Sequence, residues 1–463
     1  MTPGRDGAFA SPPLTLDNAA LFTDLYELTM AAAFFREGMG GTATFSLFVR
    51  RLPAARGFLV AAGVAEVLEY LRTFRFGPDA VAALRALRRF EPAFLDYLAG
   101  LRFTGSVRAA PEGTVLFADE PLLEITAPLV EAQLVETAVI NFCHVQTVLS
   151  SKAARLVLAA GGRSLAEFGL RRSHGMDAGL KAARAALLAG FDSTSNVLAA
   201  RTWGLPLTGT MAHSFVTSFP SELEAFRAYA RTFPDDAVLL LDTYDTVAAA
   251  HKAVRVAHEL AAGGHRLAGV RLDSGDLGAL SREVRRILDA GDCSGVRIVV
   301  SGGLDEHDIA RLTAEGAPID AFGVGTRLNV SADAPSLDMV YKLVRLDGRD
   351  VLKLSEGKAT WVGAKQVVRR LGTDGTLAGD TLALDDEPVP AGEAGLLEPV
   401  MRDGEMLRPH PSLSRMRAYC AAQLAALPDG LKRLRDPAPY AVTPSETLRA
   451  RQSAAEAAAR VNA

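Results

Sequence analysis

The sequence predicts an α/β protein, an irregular β/α barrel carrying an α+β domain formed by N-terminal and C-terminal segments. Three patterns lead there. From residue 164 to 327 short apolar runs alternate with capped helical stretches, and four consecutive run starts lie roughly 24 to 32 residues apart, the length of one βα unit. Polar and glycine residues follow nearly every run, as on the loop face of a barrel, whereas an open doubly wound sheet gathers them at one switch point. On both flanks the pattern changes to longer alternating strands and turn-rich sequence. The expected domains are residues 1–128 (N-terminal α+β), 129–345 (β/α barrel) and 346–463 (β-rich, packing on the first and ending in helices).

A Gly/Pro-containing arm, residues 1–13, is expected to be mobile. Leu21, Leu25, Leu28 and Ala32 have helical spacing, which predicts a helix over residues 21–35 with Thr23 or Asp24 as its cap. Residues 42–49 alternate and are rich in Phe, Thr and Val, so a strand is expected, then a basic turn at Arg50-Arg51. Helices are expected over 62–74 and 78–90, short strands across 107–126 around Pro111-Glu-Gly113, and a long helix over 129–160 broken near its middle. The barrel strands are then 164–170, ending at Arg171-Arg172; 205–207, leading to His213; 237–241, ending at Asp242; 267–272, ending at Asp273; 296–300, ending at Ser301-Gly-Gly303; and 321–324, ending at Gly325-Thr-Arg327. Ser221-Glu-Leu-Glu224 is a capping-box pattern, and Gly190, Gly204 and Gly263 stand where helices should stop. Residues 351–400 are expected to be β-rich and to pack back on the N-terminal region.

At 463 residues, 49% hydrophobic and 22% charged, the chain can bury a large core in two or three domains. A net charge of -4 provides no global attraction for nucleic acid or an anionic membrane. Cys143, Cys293 and Cys420 are far apart with no C-x-x-C pair, against a disulfide framework or a zinc knuckle. The N-terminus lacks a cationic start followed by an apolar core, and no uncharged apolar run reaches about 18 residues. A soluble, cytoplasmic protein is expected.

Strand ends carry the candidate chemistry. Gly209-Thr-Met-Ala-His-Ser-Phe215 places one imidazole among small and hydroxyl residues; His213 is a candidate base, acid or nucleophile, or else a hydrogen-bonded structural histidine. Ser301-Gly-Gly303 and Gly323-Val-Gly-Thr-Arg327 have the small residues that let backbone N–H groups approach an anion, though tight βα turns also use glycine. Arg271-Leu-Asp-Ser-Gly-Asp276 sets two carboxylates three apart, able to hold ribose hydroxyls or magnesium, while Asp276 is equally well explained as a helix cap. Arg171-Arg172 with Lys181 and Arg184 would neutralise an anionic substrate or form a solvated cationic face. Tyr26 taken alone reads as a packing residue.

Seven segments, Thr23-Asp-Leu-Tyr-Glu-Leu-Thr-Met30, Glu167-Phe-Gly-Leu-Arg-Arg172, Gly190-Phe-Asp-Ser-Thr-Ser-Asn196, Gly209-Thr-Met-Ala-His-Ser214, Arg271-Leu-Asp-Ser-Gly-Asp276, Ser301-Gly-Gly303 and Phe322-Gly-Val-Gly-Thr-Arg327, together resemble the nicotinate phosphoribosyltransferases, a type II phosphoribosyltransferase family. They run in family order from about residue 20 to 370. The resemblance implies condensation of nicotinate with phosphoribosyl pyrophosphate to nicotinate mononucleotide and pyrophosphate, the entry of salvaged nicotinate into NAD synthesis. ATP would be a cosubstrate whose hydrolysis is coupled to turnover, which classes the enzyme with ATP-dependent ligases. By motif position, His213 would be transiently phosphorylated, Arg171 would face the nicotinate carboxylate and pyrophosphate, and Asp273 the ribose. Ser301, Gly302, Gly303, Gly325 and Thr326 would hold the 5′-phosphate. Phe168, Arg172, Ser214 and Arg271 would complete the substrate-binding set, with Tyr26 stacking on the pyridine ring across the interface of a homodimer with a shared active site. Mg²⁺ would accompany the pyrophosphate. One segment departs from the family: where Pro-Gly usually precedes the second lysine of the stretch from Lys353 to Gln366, this chain has Trp361-Val-Gly-Ala-Lys365, which bears on loop geometry.

A nicotinamide-using relative shares the fold and the phosphohistidine logic; paired Arg171-Arg172 favours the acidic substrate. A decarboxylating quinolinate transferase would have no ATP-linked histidine. A sugar-phosphate aldolase or isomerase barrel would need a lysine or carboxylate base at a strand end, and the six strand ends carry no obvious lysine. A non-catalytic binding protein on the same scaffold is the remaining alternative.

Overall fold

The computed structural model describes residues 14–354 and 360–461. The N-terminal arm and residues 355–359, part of the segment that departs from the family, lie outside the described residues. The chain forms two compact units, one made of the residues up to Thr147 together with those from Ser336 onward, the other of Val148–Pro335.

The first unit is built on a seven-stranded sheet in the order Arg349–Asp350, Met339–Leu346, Thr42–Val49, Pro121–Pro128, Ser106–Ala109, Glu398–Arg402, Glu405–Met406. Its neighbours are antiparallel throughout. Thr42–Val49 is an interior strand, and all but its first residue are buried, in keeping with its β-branched and aromatic content. The expected return of the C-terminal segment to the N-terminal region is made by Glu398–Arg402, which pairs with Ser106–Ala109. A second sheet runs Ala394–Gly395, Lys365–Leu371, Leu377–Leu384, Val442–Pro444.

The first long helix spans Leu25–Arg36, later than expected, after a short 3-10 turn at Ala19–Leu21. Asp24 occupies the cap position without a side-chain cap bond, while Thr23 Oγ1 donates to Glu27 at 2.5 Å. The helix expected over 78–90 stops at Ala86, and a separate helix, Pro92–Gly100, follows; each begins at a proline, which is tolerated at the first helical position because its missing N–H has no partner there anyway. The break in the long helix falls at Val135, between Leu129–Leu134 and Glu136–Ala160, near the start of the run and not its middle.

The second unit holds six parallel strands in the order Ser193–Thr194, Ser164–Glu167, Ala321–Val324, Arg297–Val300, Gly269–Leu272, Val238–Leu240. The last strand in sequence, Ala321–Val324, pairs with the first, Ser164–Glu167. That wrap-around is the neighbour order of a β/α barrel and differs from a doubly wound sheet, whose later strands would add outward from the first. Hydrogen-bonded closure is not formed: among the described residues no pairing joins Val238–Leu240 to the other edge. The strand expected at 205–207 shrinks to one bridge, Thr194 to Leu207, because Pro206 has no N–H and offers only its carbonyl to Thr194 N at 3.0 Å. The segment that leads to His213 therefore lies beyond the Ser193–Thr194 edge of the sheet, joined to it by that one bridge.

Helix boundaries in this unit follow the caps read from sequence. Gly190, Gly204 and Gly263 end their helices, and Ser221 Oγ accepts from Glu224 N at 3.3 Å. Asp276 caps Leu277–Ala290 by accepting from Ala279 N at 3.0 Å, so the capping explanation of that carboxylate holds.

Candidate active site

Strand periodicity places the central pair. In Gly269–Leu272 the side chains of Val270 and Leu272 are fully buried on one face, so Arg271 points to the other, and Asp273, two residues on, returns to the side of Arg271. Arg271 Nη2 donates to Asp273 Oδ1 at 2.7 Å, Nε to Ser301 Oγ at 2.8 Å, and Nη1 to Thr210 Oγ1 at 2.7 Å and the Met211 carbonyl at 3.4 Å. Ser301 Oγ in turn donates to Asp273 Oδ1 at 2.5 Å. One guanidinium thus ties together the ends of two strands and the segment before His213. Burial alone would raise the Asp273 carboxyl, but hydrogen bonds from Arg271 and Ser301 and the charges of Arg271 and His213 outweigh it and hold it below its ordinary value. Asp273 is a fixed carboxylate.

Glycine is needed at two positions around this network. Gly302 has φ +100°, and a Cβ there would lie 1.8 Å from the Asp273 carbonyl oxygen, so the Ser301–Gly303 loop can lie against the Asp273 backbone only without a side chain. At Gly323 a Cβ would come within 2.6 Å of the Phe168 ring and 3.2 Å of Ser301 Cβ. Phe168 occupies that space, with Arg271 6.0 Å from its ring centroid, at the outer limit of a cation–π contact. Ser301 N is engaged by the Leu272 carbonyl at 2.9 Å. Gly325 lies beside the Phe168 carbonyl, 3.1 Å from where its Cβ would be, and Thr326 opens the short helix Thr326–Asn329.

His213 is the first residue of the five-residue helix His213–Thr217 and is half-buried; Ser214, next on the same helix, is exposed. The His213 Nδ1 atom lies 3.1 Å from Thr243 Oγ1, which leaves Nε2 outside that contact. Beside Thr243, Asp242 Oδ2 accepts from Ser274 Oγ at 2.5 Å, and Asp242 Oδ1 is buried with no hydrogen-bond partner among the described residues. Sequence pattern does not single out Thr210, Thr243 or the role of Asp242. Each sits in or next to a quoted motif, but short hydroxyl and carboxylate residues at loops carry no signal of which atoms they face.

The arginine pair is placed differently from expectation. The strand ends at Glu167, not at residue 170, because the buried Glu167 carboxylate accepts from Gly169 N and from Thr194 Oγ1, each at 2.6 Å, and turns the chain. Burial outweighs those bonds and raises the Glu167 carboxyl above its ordinary value. Arg171 and Arg172 follow on the 3-10 turn Leu170–Arg172 and are exposed. Lys181 does not join them: it is buried and paired with Asp177 at 2.8 Å.

Tyr26 lies in the first unit, on Leu25–Arg36, 46% exposed, with Leu25 and Met30 also exposed. Burial, then the carboxylates of Glu136, Glu27 and Asp24, raise its phenol above the ordinary range. Beside it in sequence Glu27 is buried, accepting from Thr137 N at 2.9 Å and from the hydroxyls of Thr23 and Thr137; burial dominates and pushes its carboxyl up to about 7.

Three family profiles match the chain: the nicotinate phosphoribosyltransferase N-terminal domain over residues 21–144, the nicotinate phosphoribosyltransferase family over 163–373, and the nicotinate phosphoribosyltransferase C-terminal domain over 393–452. The nicotinate phosphoribosyltransferase pncB2 of Mycobacterium tuberculosis is 51% identical over 420 residues, covering 90% of this chain and 89% of that protein. The nicotinate phosphoribosyltransferase of Bacillus subtilis is 39% identical, covering 93% and 94%. The crystal structure of human nicotinic acid phosphoribosyltransferase superposes with a TM-score of 0.85 at 35% identity, covering 93% of this chain and 99% of that one. A nicotinate-nucleotide pyrophosphorylase from Pyrococcus furiosus, at 24% identity and a TM-score of 0.74, shares the fold. With its N-terminal, central and C-terminal parts all matched, the chain belongs to the nicotinate phosphoribosyltransferase family.

Proposed function

We propose that this protein joins nicotinate to phosphoribosyl pyrophosphate, forming nicotinate mononucleotide for NAD synthesis and releasing pyrophosphate. The observation that carries the reading is the Arg271–Asp273–Ser301 network, which joins the ends of two neighbouring strands beside the strand that leads to Gly325, in a chain of this family. The C1–O bond to pyrophosphate breaks as the pyridine nitrogen attacks C1, and positive charge develops on the ribose. Asp273, kept ionised by Arg271, stabilises that charge through a group already oriented for it. Gly302 and Gly303 offer backbone N–H groups to the 5′-phosphate, joined by Gly325 and Thr326 from the next strand. Ser301 orients Arg271 and Asp273 instead of binding phosphate through its hydroxyl, which is already engaged. Phe168 walls the site beneath Arg271, and Arg171, Arg172 and Ser214, all exposed, face the anionic substrates.

ATP phosphorylates His213 in this account. With Nδ1 engaged by Thr243, Nε2 is the nitrogen left to react: in the tautomer whose proton is on Nδ1 its lone pair attacks the γ-phosphorus, the P–O bond to ADP breaks, and water later hydrolyses the phosphohistidine. The added charge biases the site between a state that binds phosphoribosyl pyrophosphate tightly and one that releases product. Among the described residues no group of three or more His, Cys, Asp or Glu is arranged to hold a metal by itself. A magnesium ion arriving on pyrophosphate fits the donors present: Asp242, with its unpartnered buried oxygen, and Asp273, the remaining ligands coming from substrate and water. Bound there, it would neutralise charge on the leaving pyrophosphate.

Tyr26 stacks on the pyridine ring of the partner's site in a homodimer, a reading supported by its exposure together with Leu25 and Met30. Among the described residues no helix is long and apolar enough to cross a membrane; the enzyme works in the cytoplasm. The test is turnover with Mg²⁺, ATP, phosphoribosyl pyrophosphate and nicotinate, with nicotinamide as competitor. Nicotinate mononucleotide forms and nicotinamide fails to compete; preferential use of nicotinamide would overturn the substrate assignment.

A further inference from the structure

Helix Glu136–Ala160 carries two cations one turn apart, Lys152 and Arg155, that are 1% and 3% exposed. Both reach the same two carboxylates. Lys152 Nζ pairs with Glu306 Oε2 and lies 3.0 Å from Asp333 Oδ1; Arg155 Nε donates to Glu306 Oε1 at 2.9 Å and lies 3.9 Å from Asp333 Oδ2. Glu306 is fully buried, and the Asp333 side chain is 13% exposed. Two cations and two anions neutralise one another, so the cluster survives burial only while all four are present and correctly spaced.

The placement of the carboxylates in the chain is what matters. Glu306 is the first residue of helix Glu306–Ala314, three residues after Gly303, and its helix starts from a capping box in which Asp305 accepts from His307 N and Asp308 N. Asp333 follows helix Thr326–Asn329, seven residues after Thr326, through a turn in which Ser331 has φ +44° and its hydroxyl donates to the Ala334 carbonyl at 2.8 Å. Each carboxylate therefore terminates a short segment that begins at one of the two glycine loops. A change at either carboxylate is felt by the other loop through the shared cations.

We infer that Lys152, Arg155, Glu306 and Asp333 form a buried clamp that sets the spacing of the Ser301–Gly303 and Gly325–Thr326 loops, making them positioning residues for the 5′-phosphate of phosphoribosyl pyrophosphate. The clamp does not touch substrate; it rests on the proposed reading of those loops as the phosphate site. A cradle of backbone N–H groups from two loops binds a phosphate only if the two halves are held at one separation, and neither loop has a side chain at Gly302, Gly303 or Gly325 to fix it. A buried charge cluster resists shear better than an apolar contact because its partners cannot be exchanged without leaving a charge unpaired.

The experiment compares wild type, Asp333→Asn, Glu306→Gln, the uncharged Lys152→Met and the conservative Lys152→Arg by steady-state kinetics, and by calorimetric binding of ribose 5-phosphate, with melting temperatures recorded. Asp333→Asn, at the more accessible corner, is the variant expected to fold best. The clamp predicts that KM for phosphoribosyl pyrophosphate and the dissociation constant for ribose 5-phosphate rise about tenfold in Asp333→Asn and Glu306→Gln, with KM for nicotinate within about twofold, and that Lys152→Arg recovers most of the loss expected for an uncharged residue. If wild type and both carboxylate variants bind ribose 5-phosphate equally, with only the melting temperature lowered, the cluster is structural and the inference is overturned while the phosphate site stands. If wild type itself does not bind ribose 5-phosphate, the reading of the loops fails and the clamp with it.

Discussion

Replacing Asp273 by Asn separates the two carboxylates of the Arg271-Leu-Asp-Ser-Gly-Asp276 segment, because its neighbour Asp276 has a purely local role. The change preserves shape but removes the charge that accepts from Arg271 at 2.7 Å and from Ser301 at 2.5 Å. Each charge-assisted bond is worth about 1.5 to 3 kcal/mol, and the pair is not additive. The Arg271 and Asp273 side chains are 14% and 30% exposed, so the loss falls toward the lower part of that range, about 2 kcal/mol. For a unit of this size that corresponds to a melting temperature lower by roughly 4 to 8 °C. The catalytic cost is larger. An oriented charge facing a cationic transition state contributes about 2.7 to 4 kcal/mol, so kcat falls about 10²- to 10³-fold with KM for nicotinate little changed. Asp276→Asn keeps its cap, since Asn caps helices as well as Asp, and stays within about 0.5 kcal/mol and twofold of wild type. The assay is initial-rate product formation beside thermal melts of both variants. Equal damage from both substitutions, or an Asp273→Asn enzyme retaining more than half its kcat, would refute the assigned difference between these carboxylates.

Further outcomes follow from the same geometry. Thr243→Val removes the partner of His213 Nδ1 and lets the ring turn, lowering the ATP-dependent rate about tenfold, or roughly 1.4 kcal/mol, with the melting temperature nearly unchanged; rapid-quench labelling with γ-phosphate-labelled ATP reads it. The Glu27 carboxyl, raised from 4.5 to about 7, binds its proton more tightly in the folded chain than in the unfolded one. Its stabilising contribution is therefore full below about pH 4.5 and lost as pH rises through 7, about 1 to 2 kcal/mol after solvent screening. Urea midpoints measured between pH 5 and 8 should fall across that window for wild type and flatten in Glu27→Gln. Gly302→Ala meets both a left-handed backbone and the Asp273 carbonyl, costing at least about 3 kcal/mol, whereas Gly303→Ala, with φ +71° and open space, costs about 1 to 2 kcal/mol; urea melts distinguish the two.

Local chemistry made much of this fold legible. Caps at Ser221 and Asp276, stops at Gly190, Gly204 and Gly263, and the short apolar runs ending at Asp273 and Ser301 all act within a few residues of themselves, so sequence neighbours suffice to read them. Structure departs from local pattern where a distant partner decides. The run at 205–207 looks like its sister strands, but Pro206 denies it a ladder, and residues 168–170 leave the strand because a buried Glu167 draws in Gly169 and Thr194. The Pro92–Gly100 helix is not legible because its short run carries little periodicity. At the site, the strand ends themselves point to His213, Asp273 and the glycine loops, and the resemblance adds Arg271 as a substrate-binding residue; that Arg271 is instead tied to Asp273, Ser301 and Thr210 depends on residues meeting across strands, which no local pattern shows. The Lys152–Glu306 pair, 154 residues apart, carries no local signature at all.

The central claim, phosphoribosyl transfer to nicotinate driven through His213, is tested most directly by following product and protein-bound phosphate together. Purified wild type and His213→Ala are incubated with nicotinate, phosphoribosyl pyrophosphate, Mg²⁺ and labelled ATP. The account predicts nicotinate mononucleotide and pyrophosphate in equal amounts, an acid-labile phosphate on wild type alone, and loss of ATP stimulation in the variant. Full ATP-coupled turnover by His213→Ala, or no nicotinate mononucleotide from wild type, would contradict it.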